Sequence, residues 1–161
     1  CLKILALHQP VAIDLRFIVV VLKVNNDLER IGDLAENLTA RAVYLAEREP
    51  MPEPMAIING MFVTIRSMLK DSLDSLVKLD VDLARKVIAQ DDGVDQINRQ
   101  MYDDFRQMMA RDASMIEQAT SWLSCSRYLE RIADLATNIS EDVVFMVEGE
   151  VVRHQTQETS F

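Results

Sequence analysis

The chain has 161 residues, 49 % of them hydrophobic, and a formal charge of −9 at pH 7. This length suits one ordinary domain or two small helical units, and only four glycines argue against long disordered stretches. Because an acidic protein repels phosphate backbones, nucleic-acid binding is not expected. The sequence also lacks the run of about 20 apolar residues that a transmembrane helix needs.

The first half of the chain predicts one short and one long helix. The short helix covers Cys1 to Gln9 and stops at Pro10, which suits the first turn of the next helix. The long helix runs to about Arg48, and the proline-rich residues 49–54 form a linker. Its predicted apolar face consists of Leu28, Ile31, Ala35, Leu38 and Ala42.

The second half predicts a complete antiparallel bundle of three helices over residues 55–149. The helices are expected at 55–79, at 81–110 and from Asp112 to Gly149, and a polar tail follows at 150–161. Residues 1–48 supply barely more than one helix, and the chain begins without methionine inside a helical pattern. We therefore expect a bundle truncated at its N terminus, whose long helix packs against the second bundle or a symmetry mate.

Two segments carry nearly the same sequence. Residues 27–39, the first copy, read DLERIGDLAENLT, and residues 128–140, the second copy, read YLERIADLATNIS. Packing alone would preserve the apolar positions and let the others drift, whereas here Glu, Arg, Asp and Asn repeat as well. The repetition predicts that the polar face has a role in both copies.

The repeated polar residues recur at intervals of four along each helix. They are Glu29, Asp33 and Asn37 in the first copy, and Glu130, Asp134 and Asn138 in the second. This spacing places them opposite the apolar face, as an outward stripe. Carboxylates four residues apart lie about 5–6 Å apart at Cβ, close enough to hold one hard cation. The Asn lies ~12 Å along the axis from the Glu. Either several ions lie along the stripe, or the Asn supports a ligand without touching the ion.

The alternative interpretation of these stripes is a solvated acidic face. Acidic residues four apart are common on exposed helices, and for a single copy this explanation would be preferred. Duplication of the whole pattern favours a metal site. Oxygen ligands suit Mg²⁺, Ca²⁺, Mn²⁺ or oxidised Fe, and Zn²⁺ or Ni²⁺ could bind adventitiously.

The run QPVAIDLR at residues 9–16, followed by the two copies, resembles the PhoU family. The resemblance implies two three-helix bundles, each with an (E/D)xxxD motif that binds a multinuclear metal cluster. It also implies a cytoplasmic protein, often a homodimer, that contacts the ATPase of a phosphate ABC transporter and a sensor histidine kinase. The implied function is negative regulation of phosphate uptake and of the phosphate-starvation response.

By this resemblance, Glu29 and Asp33 form the first motif, and Glu130 and Asp134 the second. The family also carries acidic residues on the preceding helix, which adds Asp91, Asp95 and Asn98 as candidate ligands; an ordinary acidic surface cluster is the alternative. Because helices of the first bundle are missing, we expect metal at the second copy before the first.

Two other functions remain open, a PhoU-type module of another transporter or channel and a purely structural acidic bundle. An enzyme is the weakest hypothesis, because the sequence has neither a glycine-rich phosphate loop nor a Ser/His/Asp set. No catalytic residue and no organic cofactor is therefore predicted. The two cysteines, Cys1 and Cys125, are too few for a zinc motif and predict reduced thiols in the cytoplasm.

Overall fold

The computed structural model describes residues 1–8 and 12–149, and that part of the chain contains helices and no strand. The helices are α1 (Leu2–His8), α2 (Ala12–Ala46), α3 (Pro52–Lys78), α4 (Val81–Ile88), α5 (Asp91–Arg111) and α6 (Ile116–Glu148). The prediction of an all-α bundle is confirmed. No helix in the described part of the chain combines the length and the hydropathy of a membrane span. The predicted stop at Pro10 and the predicted tail at 150–161 lie outside the described residues.

Helix α6 forms the centre of the molecule and packs against α2, α3, α4 and α5. Small side chains along α6 let its neighbours approach closely, and several of them are completely buried: Ala119, Ser126, Ala133, Ala136 and Ser140. Larger side chains from the other helices fill the space around them, among them Met61, Met68, Met101 and Phe105. Each fully buried side chain of this kind contributes about 1.5–3 kcal/mol through the hydrophobic effect. Gly149 ends α6 with a positive φ of 78°, as predicted.

Helix α2 packs along α6, which confirms that the long helix lies against the second bundle. Its buried face is rotated from the predicted one, because Leu28, Ala35 and Ala42 are exposed. The residues that face α6 are Val20, Val24, Asp27, Ile31 and Leu45, with Leu34 and Leu38 partly buried beside them. Since α2 carries apolar residues on more than one face, periodicity alone does not reveal which face is covered. The predicted division of the chain into two bundles, with the first ending at residue 48, stays a prediction. In the structure, α2 shares one hydrophobic core with the later helices.

The proline-rich linker is shorter than predicted. Helix α3 begins at Pro52 instead of Met55, so the connection consists of residues 47–51. Pro52 and Pro54 lie in the first turn of the helix, where the backbone N–H groups have no intrahelical acceptor and a proline removes no hydrogen bond.

The helix predicted at 81–110 is in fact two helices. Asp80 caps α4 by accepting a hydrogen bond from the Leu83 N–H (2.9 Å), but the helix is interrupted by a turn at residues 89–90. There the Gln90 N–H donates to the carbonyl of Val87 at 3.0 Å, a tighter turn than an α-helix makes. The break lets α4 and α5 both follow the surface of α6.

Candidate metal centre and the groove between the two copies

The two copies lie against each other because α2 and α6 pack antiparallel. Near one end, the Arg16 guanidinium donates to the carbonyl of Phe145 at 3.5 Å. Beyond the other end of α2, the Gln118 amide donates to the carbonyl of Glu49 at 2.7 Å. Residues of both copies therefore line one open groove of about 320 Å³: Arg30, Asp33, Leu34, Arg131, Asp134, Leu135 and Asn138.

Three carboxylates from α5 and α6 converge beside the second copy. Asp95, Glu130 and Asp134 each offer an oxygen, and these oxygens lie within 4.8 Å of one another. Helix α5 runs antiparallel to α6 and presents Asp95 to the pair that the four-residue spacing places on α6. Three oxygens at these separations can bind one hard cation at about 2.0–2.6 Å. We call Asp95, Glu130 and Asp134 the carboxylate triad.

The position of Glu130 differs from the predicted outward stripe. Its side chain is half-buried between the helices instead of fully solvated. Burial raises the pKa of Glu130, and the negative charges of Asp134 and Asp95 raise it further, while Arg127 and Arg131 lower it. The metal-free triad thus holds an ionised carboxylate in an unfavourable environment that a cation would improve.

The first copy has no such arrangement. Glu29, Asp33 and Asn37 are exposed, as predicted, and within residues 1–8 and 12–149 no third carboxylate joins the first two. The Asn37 amide donates to the carbonyl of Asp33 on its own helix at 2.8 Å. Metal binding at either copy stays a prediction.

The other candidate ligands lie outside the triad. Asn98 accepts a hydrogen bond from the Ser126 hydroxyl at 2.6 Å, which anchors α5 to α6. Asp91 is buried, with 3 % of its surface exposed, and does not join the triad. Asn138 is exposed and lines the groove between the copies.

Comparison with known proteins identifies the family. The sequence pattern of the PhoU domain matches residues 1–42 and 58–143, a range that includes both copies and Asp95. The chain belongs to the PhoU family. The PhoU homolog of Aquifex aeolicus, described as a phosphate-specific transport system accessory protein, is 41 % identical over 96 % of this chain and 70 % of its own length. The homolog of Pseudomonas putida is 38 % identical over 96 % of this chain and 60 % of its own length.

Solved PhoU structures share the fold. The crystal structure of PhoU from Pseudomonas aeruginosa superposes with a TM-score of 0.88 at 35 % identity, over 93 % of this chain and 72 % of that protein. The phosphate transport system regulatory protein PhoU from Streptococcus pneumoniae gives a TM-score of 0.78 at 26 % identity, over 95 % of this chain and 71 % of that protein. The present chain therefore spans about 60–70 % of the length of the two PhoU homologs above.

Sequence reasoning missed an ion cluster between α2 and α6 of this PhoU chain. The Lys23 ammonium pairs with the Asp142 carboxylate, and the Arg30 guanidinium lies 3.6 Å from Asp27. Both aspartates are buried, and burial raises the pKa of Asp27. Asp27 lies between Val24 and Ile31 on the buried face of α2. A charged residue at this spacing among apolar ones was the sequence signal for a buried ion pair.

Cys125 lies in the interior of α6. It is a free cysteine, and burial raises the pKa of its thiol to about 11. At neutral pH it is a protonated thiol that packs as a small apolar residue.

Proposed function

We propose that this chain is a cytoplasmic PhoU-type regulator that acts by binding and not by catalysis. It represses phosphate uptake and the phosphate-starvation response through contacts with the ATPase of a phosphate ABC transporter and with a sensor histidine kinase. Its relatives in Aquifex aeolicus and Pseudomonas putida are described as accessory proteins of the phosphate-specific transport system, which supports the link to phosphate. Large apolar side chains exposed on its surface, such as Phe17 and Phe62, support contact with other proteins or a second copy.

The carboxylate triad is the observation that carries the mechanism. We propose that it binds a hard divalent or trivalent cation, with Asp95, Glu130 and Asp134 as ligands. Three carboxylates whose oxygens lie within 4.8 Å of one another repel each other, and a bound cation replaces that repulsion with attraction. Filling the site also removes negative charge from the surface that α5 and α6 share. A regulator needs two states that differ in affinity for its partner, and this change of charge supplies them.

Calorimetric titration of Mn²⁺ into the full chain tests the site. The change is Glu130→Gln with Asp134→Asn, and the matched control is Glu29→Gln with Asp33→Asn at the same positions of the first copy. We expect the first variant to lose at least about tenfold in affinity, since it removes two anionic ligands. The control should bind as the wild type does. Equal affinities in all three proteins would remove the triad from the mechanism.

A reporter of phosphate-starvation genes tests the regulation. The gene for the full chain is replaced by one that carries Ala at Glu29, Asp33, Glu130 and Asp134, and cells are grown with ample phosphate. We expect a folded protein that no longer represses the reporter, because the charge difference between the two states is lost. Repression at the wild-type level would show that the acidic stripes are solvated surface and that the partner contacts another face.

A further inference from the structure

The groove between the two copies contains a pair of arginines that are not ligands of the proposed cation. Arg30 comes from α2 and Arg131 from α6, at the same position of the repeat, and both side chains are exposed. The Asn138 side chain lies beside them and can donate hydrogen bonds through its amide. Asp33 and Asp134 line the same groove, so in the metal-free protein two positive charges face two negative ones.

The balance of charge in the groove depends on the carboxylate triad, because Asp134 belongs to both. A cation held by Asp95, Glu130 and Asp134 neutralises the Asp134 carboxylate. The groove then keeps two guanidinium groups against the single carboxylate of Asp33. Occupancy of the triad therefore changes the net charge of the groove and the charge of the ions that it attracts.

We propose that this groove binds a tetrahedral oxyanion of the phosphate type, and that a cation in the triad increases its affinity. The inference rests on the cation site proposed above. Guanidinium groups suit this ligand because each presents two parallel N–H donors to two oxygens. Both arginines have a competing interaction. The Arg30 guanidinium lies 3.6 Å from Asp27, although 55 % of its side chain remains exposed. The charge of Arg131 acts on Glu130, whose pKa it lowers.

The groove that both arginines line has room for such an anion. The groove holds about 320 Å³ and is open to solvent along the line where α2 and α6 meet. Because the arginines come from different helices, an anion bound by both would also link α2 to α6. Cation and anion stabilise each other's binding by the same factor, as linkage requires.

Calorimetric titration of inorganic phosphate into the full chain, with and without Mg²⁺, tests this inference. The variant is Arg30→Gln with Arg131→Gln, and the control is Arg66→Gln with Arg106→Gln, which alters two exposed arginines outside the groove. In wild type and control we expect phosphate to bind several-fold more tightly with Mg²⁺ present. The groove variant should lose at least about tenfold in affinity, because each charge-assisted hydrogen bond contributes substantially.

Two results would overturn the inference. Phosphate that does not bind with Mg²⁺ present, while Mg²⁺ itself binds at the triad, would contradict the anion site and leave the proposed function intact. Phosphate that binds the groove variant as tightly as the wild type would show that the anion contacts the metal alone. Failure of Mn²⁺ binding itself would instead contradict the proposed function. Unchanged circular dichroism of the groove variant confirms that it is folded.

Discussion

The first copy in α2 and the second copy in α6 have nearly the same sequence but different surroundings. Leu129 of the second copy is 1 % exposed, whereas its counterpart Leu28 is 41 % exposed. Glu130 is half-buried beside Asp95, whereas Glu29 is exposed and has no third carboxylate near it in the described part of the chain. The reason is position, because α6 packs against four helices and α2 chiefly against α6.

The comparison shows that the repeat specifies a helix and its polar face, while neighbouring helices decide what that face can do. Within a copy, sequence places two carboxylates one turn apart. The third carboxylate comes from α5, and only the second copy has α5 beside it. The two copies can therefore differ in cation affinity although the Glu and the Asp of the motif are the same in both.

The largest expected difference between the copies is in stability. Leu129→Ala should lower the free energy of unfolding by about 2–5 kcal/mol, because it leaves a cavity in the core. Leu28→Ala removes a side chain that is largely in water and should cost less than about 1 kcal/mol. Urea denaturation of both variants checks this. Equal losses would mean that the exposed face of α2 is covered in solution.

The second expected difference is in how acid affects cation binding. The pKa of Glu130 is raised by burial and by its carboxylate neighbours, so protons compete with the cation as the pH falls toward that pKa. The affinity for Mn²⁺ should therefore fall as the pH is lowered from neutrality, by up to about tenfold per pH unit below that pKa. Calorimetry at several pH values measures it. Glu29→Gln with Asp33→Asn should leave the profile unchanged, and an affinity independent of pH would contradict the assignment of Glu130 as a ligand.

A smaller effect, on the free energy of unfolding, is expected at Asp27, where α2 packs against α6. The raised pKa of Asp27 means that ionised Asp27 destabilises the fold, so its contribution is favourable below its unfolded pKa and is lost as the pH rises through the folded one. Asp27→Asn should therefore raise the free energy of unfolding at neutral pH by up to about 1 kcal/mol, with the gain vanishing in acid.

Urea denaturation at two pH values measures the effect at Asp27, with the exposed Asp14→Asn as control. A clear loss of stability in Asp27→Asn would show that its interaction with Arg30 outweighs the cost of burial.

The smallest effect concerns Glu130 in the metal-free protein. Removing one of three neighbouring negative charges should raise the stability of Glu130→Gln by a few tenths of a kcal/mol, and Glu29→Gln should change it less. Thermal unfolding in the presence of a chelator compares them. A large loss in Glu130→Gln would mean that the carboxylate has a structural role in packing α5 on α6.

Much of this molecule could be predicted from sequence because its signals are local. Proline, glycine and cap residues indicated most helix boundaries, including the end of α6 at Gly149. The repeat indicated Glu130 and Asp134 as candidate metal ligands. The features that were missed depend on contacts distant in sequence. The buried face of α2 depends on which of its apolar faces meets α6. The groove exists because α2 and α6 pack with the two copies side by side. The break before α5 depends on how α4 and α5 follow α6.

Mn²⁺ titration into Asp95→Asn tests most directly whether the carboxylate triad is the cation site. Asp95 lies outside the repeat, and its proximity to Glu130 and Asp134 is what separates the second copy from the first. We expect Asp95→Asn to lower Mn²⁺ affinity by at least about tenfold. The exposed Asp103→Asn on the same helix should leave it unchanged. If Asp95→Asn binds Mn²⁺ as tightly as the wild type, the carboxylate triad is not the cation site.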